Sequence, residues 1–251
     1  MKIFAVYNLK GGVGKTTTAV NLAYLSAREG RRTLVWDLDP QGATSYYLCV
    51  KSKVKGGARR VLKGERGEEP VLRMTGYPHL DLLPADLSYR KMDLLLDGRK
   101  PGRKGLLKAL EPFANEYDRI VLDCPPGLSL VSENIFQMAD VLVIPLLPST
   151  LSLRAYNKLV HFLMKNRGAG LKVAPFFSMV DLSRSIHRVV SQRVLERHPI
   201  FLRNMIPQST LVEAMGIKRA PLFIYARDSR EAELYRALWA EIVSRAGPEA
   251  G

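Results

Sequence analysis

The chain reads as an α/β protein built on a mostly parallel, doubly wound sheet with helices on both faces. Short apolar runs recur along it without polar alternation, which is the pattern of strands buried on both sides. Stretches of helical length separate these runs, as a parallel sheet with crossover helices requires. The first apolar run also leads straight into a glycine-rich turn, Lys10-Gly11-Gly12-Val13-Gly14-Lys15-Thr16-Thr17, from which a helix departs. At 251 residues and 47% hydrophobic, the chain can bury a full core in one large domain.

Taken in order, Ile3–Tyr7 is the first strand and Thr16–Glu29 the first helix, with Gly30 as its stop. Thr33–Trp36 is the second strand. The segment Lys51–Arg66 is basic and glycine-containing (Lys51, Lys53, Lys55, Arg59, Arg60, Lys63, Arg66). It reads either as solvated loop and frayed helix or as a DNA-facing surface. Leu80–Leu83 is a strand, Leu87–Leu96 and Gly105–Asn115 are helices, and a second basic cluster, Arg99–Lys108, surrounds Pro101. Strands at Ile120–Leu122, Val141–Ile144 and Lys172–Phe177 then alternate with helices at Ser129–Met138, Ser152–Asn166, Ser183–Arg197 and Ser229–Ser244. No repeat, low-complexity tract or linker interrupts the series, so residues 1–251 are expected to form a single domain.

Bulk properties narrow the function. No stretch approaches the roughly 20 apolar residues of a membrane span, and the chain enters a strand at once, so no export signal is expected. Cys49 and Cys124 are the only cysteines, which fits a reducing cytoplasm and offers no metal cluster. His79, His161, His187 and His198 are scattered without ligand spacing and read as packing or surface residues. The formal net charge of +14 is high for a simple nucleotide-hydrolysing domain; arginine-rich composition or solvated helix faces would account for it, and a polyanionic partner is the sharper reading.

Three strand ends carry groups suited to phosphate chemistry, and ligands of open parallel sheets sit at the carboxyl ends of strands. A glycine-rich turn between strand and helix leaves backbone amides free to converge on phosphate oxygens. Lys15 adds a point charge, and Thr16 offers a hydroxyl to a phosphate-bound Mg²⁺. The usual phosphate-loop pattern opens on a glycine where this chain has Leu9, and a second lysine, Lys10, follows it. Asp37-Leu38-Asp39-Pro40-Gln41-Gly42 places two carboxylates where the second strand enters a turn. Ile120-Val121-Leu122-Asp123-Cys124-Pro125-Pro126 ends an apolar strand on one carboxylate, and its prolines forbid further ladder pairing. Thr16, Asp37 and Asp123 are thus the candidate metal-site residues, the ion keeping several waters. Asp39 is the candidate for orienting or deprotonating the water that attacks a γ-phosphate.

These three segments resemble the deviant Walker A, switch I and Walker B motifs of the ParA/MinD ATPases, most closely the ParA partition branch. Met179-Val180-Asp181 with Arg184, Ile206-Pro207, Glu213-Ala214 and the closing helix Ser229–Trp239 extend the similarity over almost the whole chain. It is weakest between Cys49 and Arg73. The sequence departs from the pattern at Leu9, where partition ATPases often have Gln, and at Gly127-Leu128-Ser129 after the double proline.

The resemblance implies a P-loop fold of the SIMIBI type and a slow, partner-stimulated ATPase using ATP and Mg²⁺. Gly11, Gly12, Val13, Gly14, Lys15, Thr16 and Thr17 would cradle the phosphates, and Lys10 would reach the phosphates held by a second protomer. Lys10, Lys15 and Asp39 would be the catalytic residues, and Met179, Asp181 and Pro207 would border the adenine. The implied partners are a second copy of the chain, nonspecific double-stranded DNA and a ParB-like or adaptor protein. Candidate DNA contacts are Arg184, Arg188, Arg193, Arg203, Lys218 and Arg219.

The expected location is cytoplasmic and nucleoid-associated, the cargo being DNA or a protein assembly. A sequence-specific, self-repressing form is not expected, because no helix-turn-helix extension precedes the first strand. The alternative is a MinD-like ATPase on a membrane surface. That needs a terminal amphipathic anchor, whereas Leu234, Leu238, Trp239 and Ile242 suit packing against the sheet. An electron-transfer ATPase bridging an iron–sulfur cluster would need two suitable cysteines per subunit, and Cys49 and Cys124 are poorly placed for that role.

Overall fold

The computed structural model describes residues 1–65, 70–97, 105–166 and 170–248. In chain order the first half contains β1 (Lys2–Val6), α1 (Lys15–Arg28), β2 (Thr33–Asp37), α2 (Ala43–Tyr47), α3 (Gly57–Lys63), β3 (Arg73–Met74), β4 (Leu80–Leu83), α4 (Met92–Asp97) and α5 (Gly105–Leu110). The second half contains β5 (Arg119–Asp123), α6 (Leu130–Met138), β6 (Val141–Leu146), α7 (Thr150–Asn166), β7 (Lys172–Phe177) and α8 (Ser185–Arg197). Three short helices follow, α9 (Thr210–Glu213), α10 (Met215–Lys218) and α11 (Leu222–Tyr225), before the long α12 (Arg230–Ala246).

The strands form one seven-stranded sheet in the order β3-β4-β2-β5-β1-β6-β7. All neighbours pair in parallel except β3, which runs antiparallel to β4 at one edge. Side chains alternate across each strand. Ile3, Ala5 and Tyr7 therefore enter the core under α3 to α8, while Phe4 and Val6 enter the opposite core under α1 and α12. Both faces being covered accounts for the unbroken apolar runs. Leu238, Trp239 and Ile242 of α12 lie in the second core, with the Trp239 ring centroid 5.2 Å from that of Phe4. No described helix is long and apolar enough to cross a membrane.

The expected α/β order is present, with differences that have local causes. Leu87–Lys91 is a 3₁₀ turn capped by the Asp86 side chain, and α4 begins only at Met92. The helix expected over Gly105–Asn115 ends at Leu110 and passes into a 3₁₀ turn at Glu111–Phe113, where Pro112 lacks an amide to continue the ladder. Within Lys51–Arg66, residues Gly57–Lys63 form α3, whose Ala58, Val61 and Leu62 are buried, so this basic stretch has a core face of its own. Arg66 and the 99–104 part of the Arg99–Lys108 cluster lie outside the described residues.

Candidate functional site

β5 lies between β1 and β2, and its register brings the three chemical strand ends together. Val6 pairs with Asp123, and Asp123 pairs with Asp37. The glycine-rich loop begins four residues after β1 ends and closes on α1. Gly12 (φ 68°) and Gly14 (φ 84°) are left-handed, the backbone that glycine adopts without penalty. A Cβ on Gly14 would sit 2.9 Å from Ser178 Oγ, so this glycine also permits close approach to the end of β7. No side chain caps the N-terminus of α1, which leaves its first amides available for an anion.

The loop is held from below by a residue whose role the sequence alone does not reveal. Asn8 is buried; its Nδ2 donates to Pro145 O at 2.6 Å, and its Oδ1 accepts from Lys10 N at 2.9 Å. Lys15 Nζ donates to Lys10 O at 3.2 Å, closing the loop over itself. Burial pushes the Lys15 ammonium below its ordinary value, and the charges of Asp123 and Asp39 oppose that shift. The Lys10 side chain makes no hydrogen bond or ion pair among the described residues.

Asp37 and Asp123 are both fully buried. Thr16 Oγ1 and Thr44 Oγ1 donate to Asp123 Oδ2 at 2.9 and 2.8 Å. Ser45 donates to Asp37 Oδ2 from its amide at 2.8 Å and its hydroxyl at 2.7 Å. The remaining oxygens, Oδ1 of each carboxylate, are buried without a partner. Two adjacent buried carboxyls with orphaned oxygens disfavour full ionisation unless a cation joins them. Burial drives Asp37 up to about 8, with Asp123's charge adding to it, and burial likewise drives Asp123 up to about 6. This donor set, with the Thr16 hydroxyl, fits Mg²⁺, a hard cation that takes oxygen ligands and retains waters.

The pair has a consequence for stability. Both carboxyls sit above their ordinary 3.8 when folded, so the protonated forms favour the fold. That contribution is complete below about pH 4 and is lost as pH rises through about 6 and about 8. Metal-free protein is expected to lose thermal stability between about pH 5 and 8 more steeply than Asp37→Asn, which keeps the shape but not the charge. Equal slopes for the two proteins in scanning fluorimetry would refute the paired-carboxylate picture.

Asp39 stands at the turn after β2, half-buried, with Oδ1 accepting from Gln41 N at 2.9 Å and its carbonyl from Gly42 N at 2.9 Å. Met179, Asp181 and Pro207 also converge. Val180 N donates to Ile206 O, Gln208 N donates to Val180 O, each at 3.0 Å, and Val180 bridges Pro207 in parallel. Met179 adopts φ 54°, a left-handed backbone that a non-glycine residue rarely takes. Asp181 is committed locally: its Oδ1 accepts from the Ser183 amide and hydroxyl, and its amide donates to Nδ1 of the buried His187 at 3.0 Å.

The six candidate DNA residues divide into two groups. Arg188 donates to Leu182 O at 2.6 Å, Arg203 to Leu195 O at 2.6 Å, and Arg219 to Tyr46 O at 3.1 Å. Arg184, Arg193 and Lys218 are exposed and carry no side-chain hydrogen bond among the described residues. Thr44, Ser45 and Asn8 complete the site without having been singled out from sequence. A hydroxyl bound to a distant carboxylate follows no local spacing, and the only available signal was a Thr-Ser pair just after the Asp37–Gly42 turn.

Residues 1–169 match a family model described as an AAA domain. The chain is 33% identical to the chromosome partitioning protein ParA of Myxococcus xanthus, over 99% of this chain and 90% of that protein. It is 30% identical to the sporulation initiation inhibitor protein Soj of Bacillus subtilis, over 97% and 98% respectively. Among solved structures, cobyrinic acid a,c-diamide synthase from Mycobacterium smegmatis, with bound ATP analogue and magnesium, superposes with a TM-score of 0.81 at 25% identity. That match covers 99% of this chain and 98% of the other.

Proposed function

The chain belongs to the ParA/MinD family of P-loop ATPases, and from that membership we propose a ParA-like ATPase that positions or partitions cargo on DNA. Residues 1–251 act as one ATPase domain. Two protomers sandwich ATP, and the sandwich binds double-stranded DNA without sequence preference. Hydrolysis, slow alone and stimulated by a ParB-like or adaptor partner, resets the cycle. The cargo is DNA or a protein assembly, and the working location is the nucleoid.

The observation that carries this reading is the convergence of Lys15, Thr16, Asp37 and Asp123 at three adjacent strand ends, with two buried carboxylate oxygens left unpartnered. Thr16, Asp37 and Asp123 would hold Mg²⁺, which supplies charge neutralisation on the phosphates when bound. The amides from Gly11 to Thr17 bind phosphate oxygens, and Lys15 adds its charge beside them. Met179, Asp181 and Pro207 wall the base at the end of β7, beside the loop through the Gly14–Ser178 approach. Lys10 and Asp39 serve the partner's phosphates and the attacking water.

DNA binding tests the reading. Gel shift on a nonspecific duplex is expected to require ATP and to weaken at least about a hundredfold between about 50 and 200 mM salt, as phosphate contacts release counterions. Arg184, Arg193 and Lys218, which lack internal side-chain hydrogen bonds, are expected to contribute most to that salt slope. Binding that ignores both nucleotide and salt would sink the proposal.

A further inference from the structure

With five residues, α2 is too short to hold itself in place by helix propensity, so its position depends on what grips it. At one end Thr44 and Ser45 reach the Asp123 and Asp37 carboxylates. Ser45 Oγ also accepts from Ala85 N at 3.0 Å, which fixes the hydroxyl's direction. At the other end the grip comes from Arg219. Its Nε donates to Tyr46 O at 3.1 Å, and its guanidinium carbon lies 4.5 Å from the centroid of the Tyr46 ring. Cys49 Sγ meets Arg219 O at 3.4 Å.

Arg219 is itself held in an unusual way. Its backbone is left-handed, φ 49° and ψ 50°, a conformation that persists in a long side chain only where the surroundings over-determine it. The segment that carries it is tied to α1: Asn21 Nδ2 donates to Met215 Sδ at 3.2 Å, and Leu222 N donates to Asn21 Oδ1 at 3.0 Å. Arg219 therefore stands on a base fixed to the phosphate-loop helix and grips the helix whose hydroxyls sit on the two buried acids.

We propose that Arg219 and the Tyr46 ring are positioning residues for the cation site. They clamp α2 so that Thr44 and Ser45 occupy the Oδ2 atoms of Asp123 and Asp37, leaving both Oδ1 atoms for Mg²⁺. This rests on the ATPase reading and gives Arg219 a role inside the protomer that needs no DNA. One guanidinium makes both contacts, so losing Arg219 removes the cation–π contact and the hydrogen bond together, whereas losing the Tyr46 ring removes the cation–π contact and leaves the backbone acceptor in place.

The test is a Mg²⁺ titration of the full chain with a fluorescent ATP derivative and no DNA. Arg219→Ala is expected to raise the Mg²⁺ midpoint for nucleotide binding about five- to tenfold, and Tyr46→Ala, which loses only the ring contact, about two- to fivefold. The double variant is expected to go no further than Arg219→Ala, because the ring acts only through the guanidinium. Tyr46→Phe, which keeps the ring, is expected to match the unmodified protein. Binding in EDTA is expected to be the same in all of them, whereas a merely structural loss would lower it equally. Unchanged midpoints in both alanine variants, or an equal loss in EDTA, would overturn the clamp. If the unmodified chain binds no ATP derivative at any Mg²⁺ concentration, the ATPase reading falls first and the clamp with it.

Discussion

Lys10→Ala is expected to abolish ATP-dependent dimerisation while leaving nucleotide binding within a few-fold of the unmodified protein. The two lysines of the loop are built differently. Lys15 is buried, donates to the Lys10 carbonyl and feels the charges of Asp123 and Asp39, so it belongs to its own protomer's site. Lys10 has its backbone pinned at both polar atoms, the amide by Asn8 and the carbonyl by Lys15, while its ammonium has no partner among the described residues. A rigid base under an uncommitted cation suits reaching out of the protomer. A charge pair shielded between two protomers contributes about 2–5 kcal/mol when truncated, enough to weaken the dimer by well over tenfold. Sedimentation with a slowly hydrolysed ATP analogue measures it, and undiminished dimer would remove Lys10 from the partner's site. A loss of nucleotide binding as large as that of Lys15→Ala would instead return Lys10 to its own phosphates.

What the sequence disclosed about this site follows from where its information is stored. Lys10, Lys15, Thr16, Asp37, Asp39 and Asp123 could be singled out as candidates because strand-end chemistry needs those residue types at short spacings beside a buried run. The strands were legible for a related reason: with both faces covered, Phe4–Tyr7 and Leu34–Trp36 have no polar position to interrupt them. Arg73–Met74 was not, since two residues at an edge, with Met74 86% exposed, leave no pattern to read. The short helices α2, α9, α10 and α11 span barely one turn each and are set by tertiary grips rather than periodicity.

Partners of charged side chains were the least accessible. Arg188, Arg203 and Arg219 look in sequence like Arg184 and Arg193, yet each of the first three ends on a backbone carbonyl that only the folded chain brings near. Asn8 shows the same limit from the polar side, because its acceptor Pro145 lies 137 positions away.

Asp39→Ala is expected to lower the hydrolysis rate by at least about a hundredfold, the usual scale for a lost acid–base or water-orienting group. ATP binding should persist, so the variant should accumulate as an ATP dimer that stays on DNA. The turn geometry favours a fixed rather than a swinging carboxylate: Oδ1 is tied to Gln41 N, and the carbonyl is tied to Gly42. Gly42 itself, at φ 69°, leaves no room for a Cβ, which would fall 2.5 Å from Ser52 Oγ. Phosphoryl transfer leaves little covalent work to the protein, so orientation of the water is expected to dominate over removal of its proton. Asp39→Asn separates the two roles, since it keeps an acceptor oxygen but not the basicity. If orientation dominates, the asparagine variant should hydrolyse ATP at least about tenfold faster than the alanine variant. An asparagine variant as inactive as alanine would assign Asp39 to proton removal, and normal hydrolysis in both would place the water on another residue.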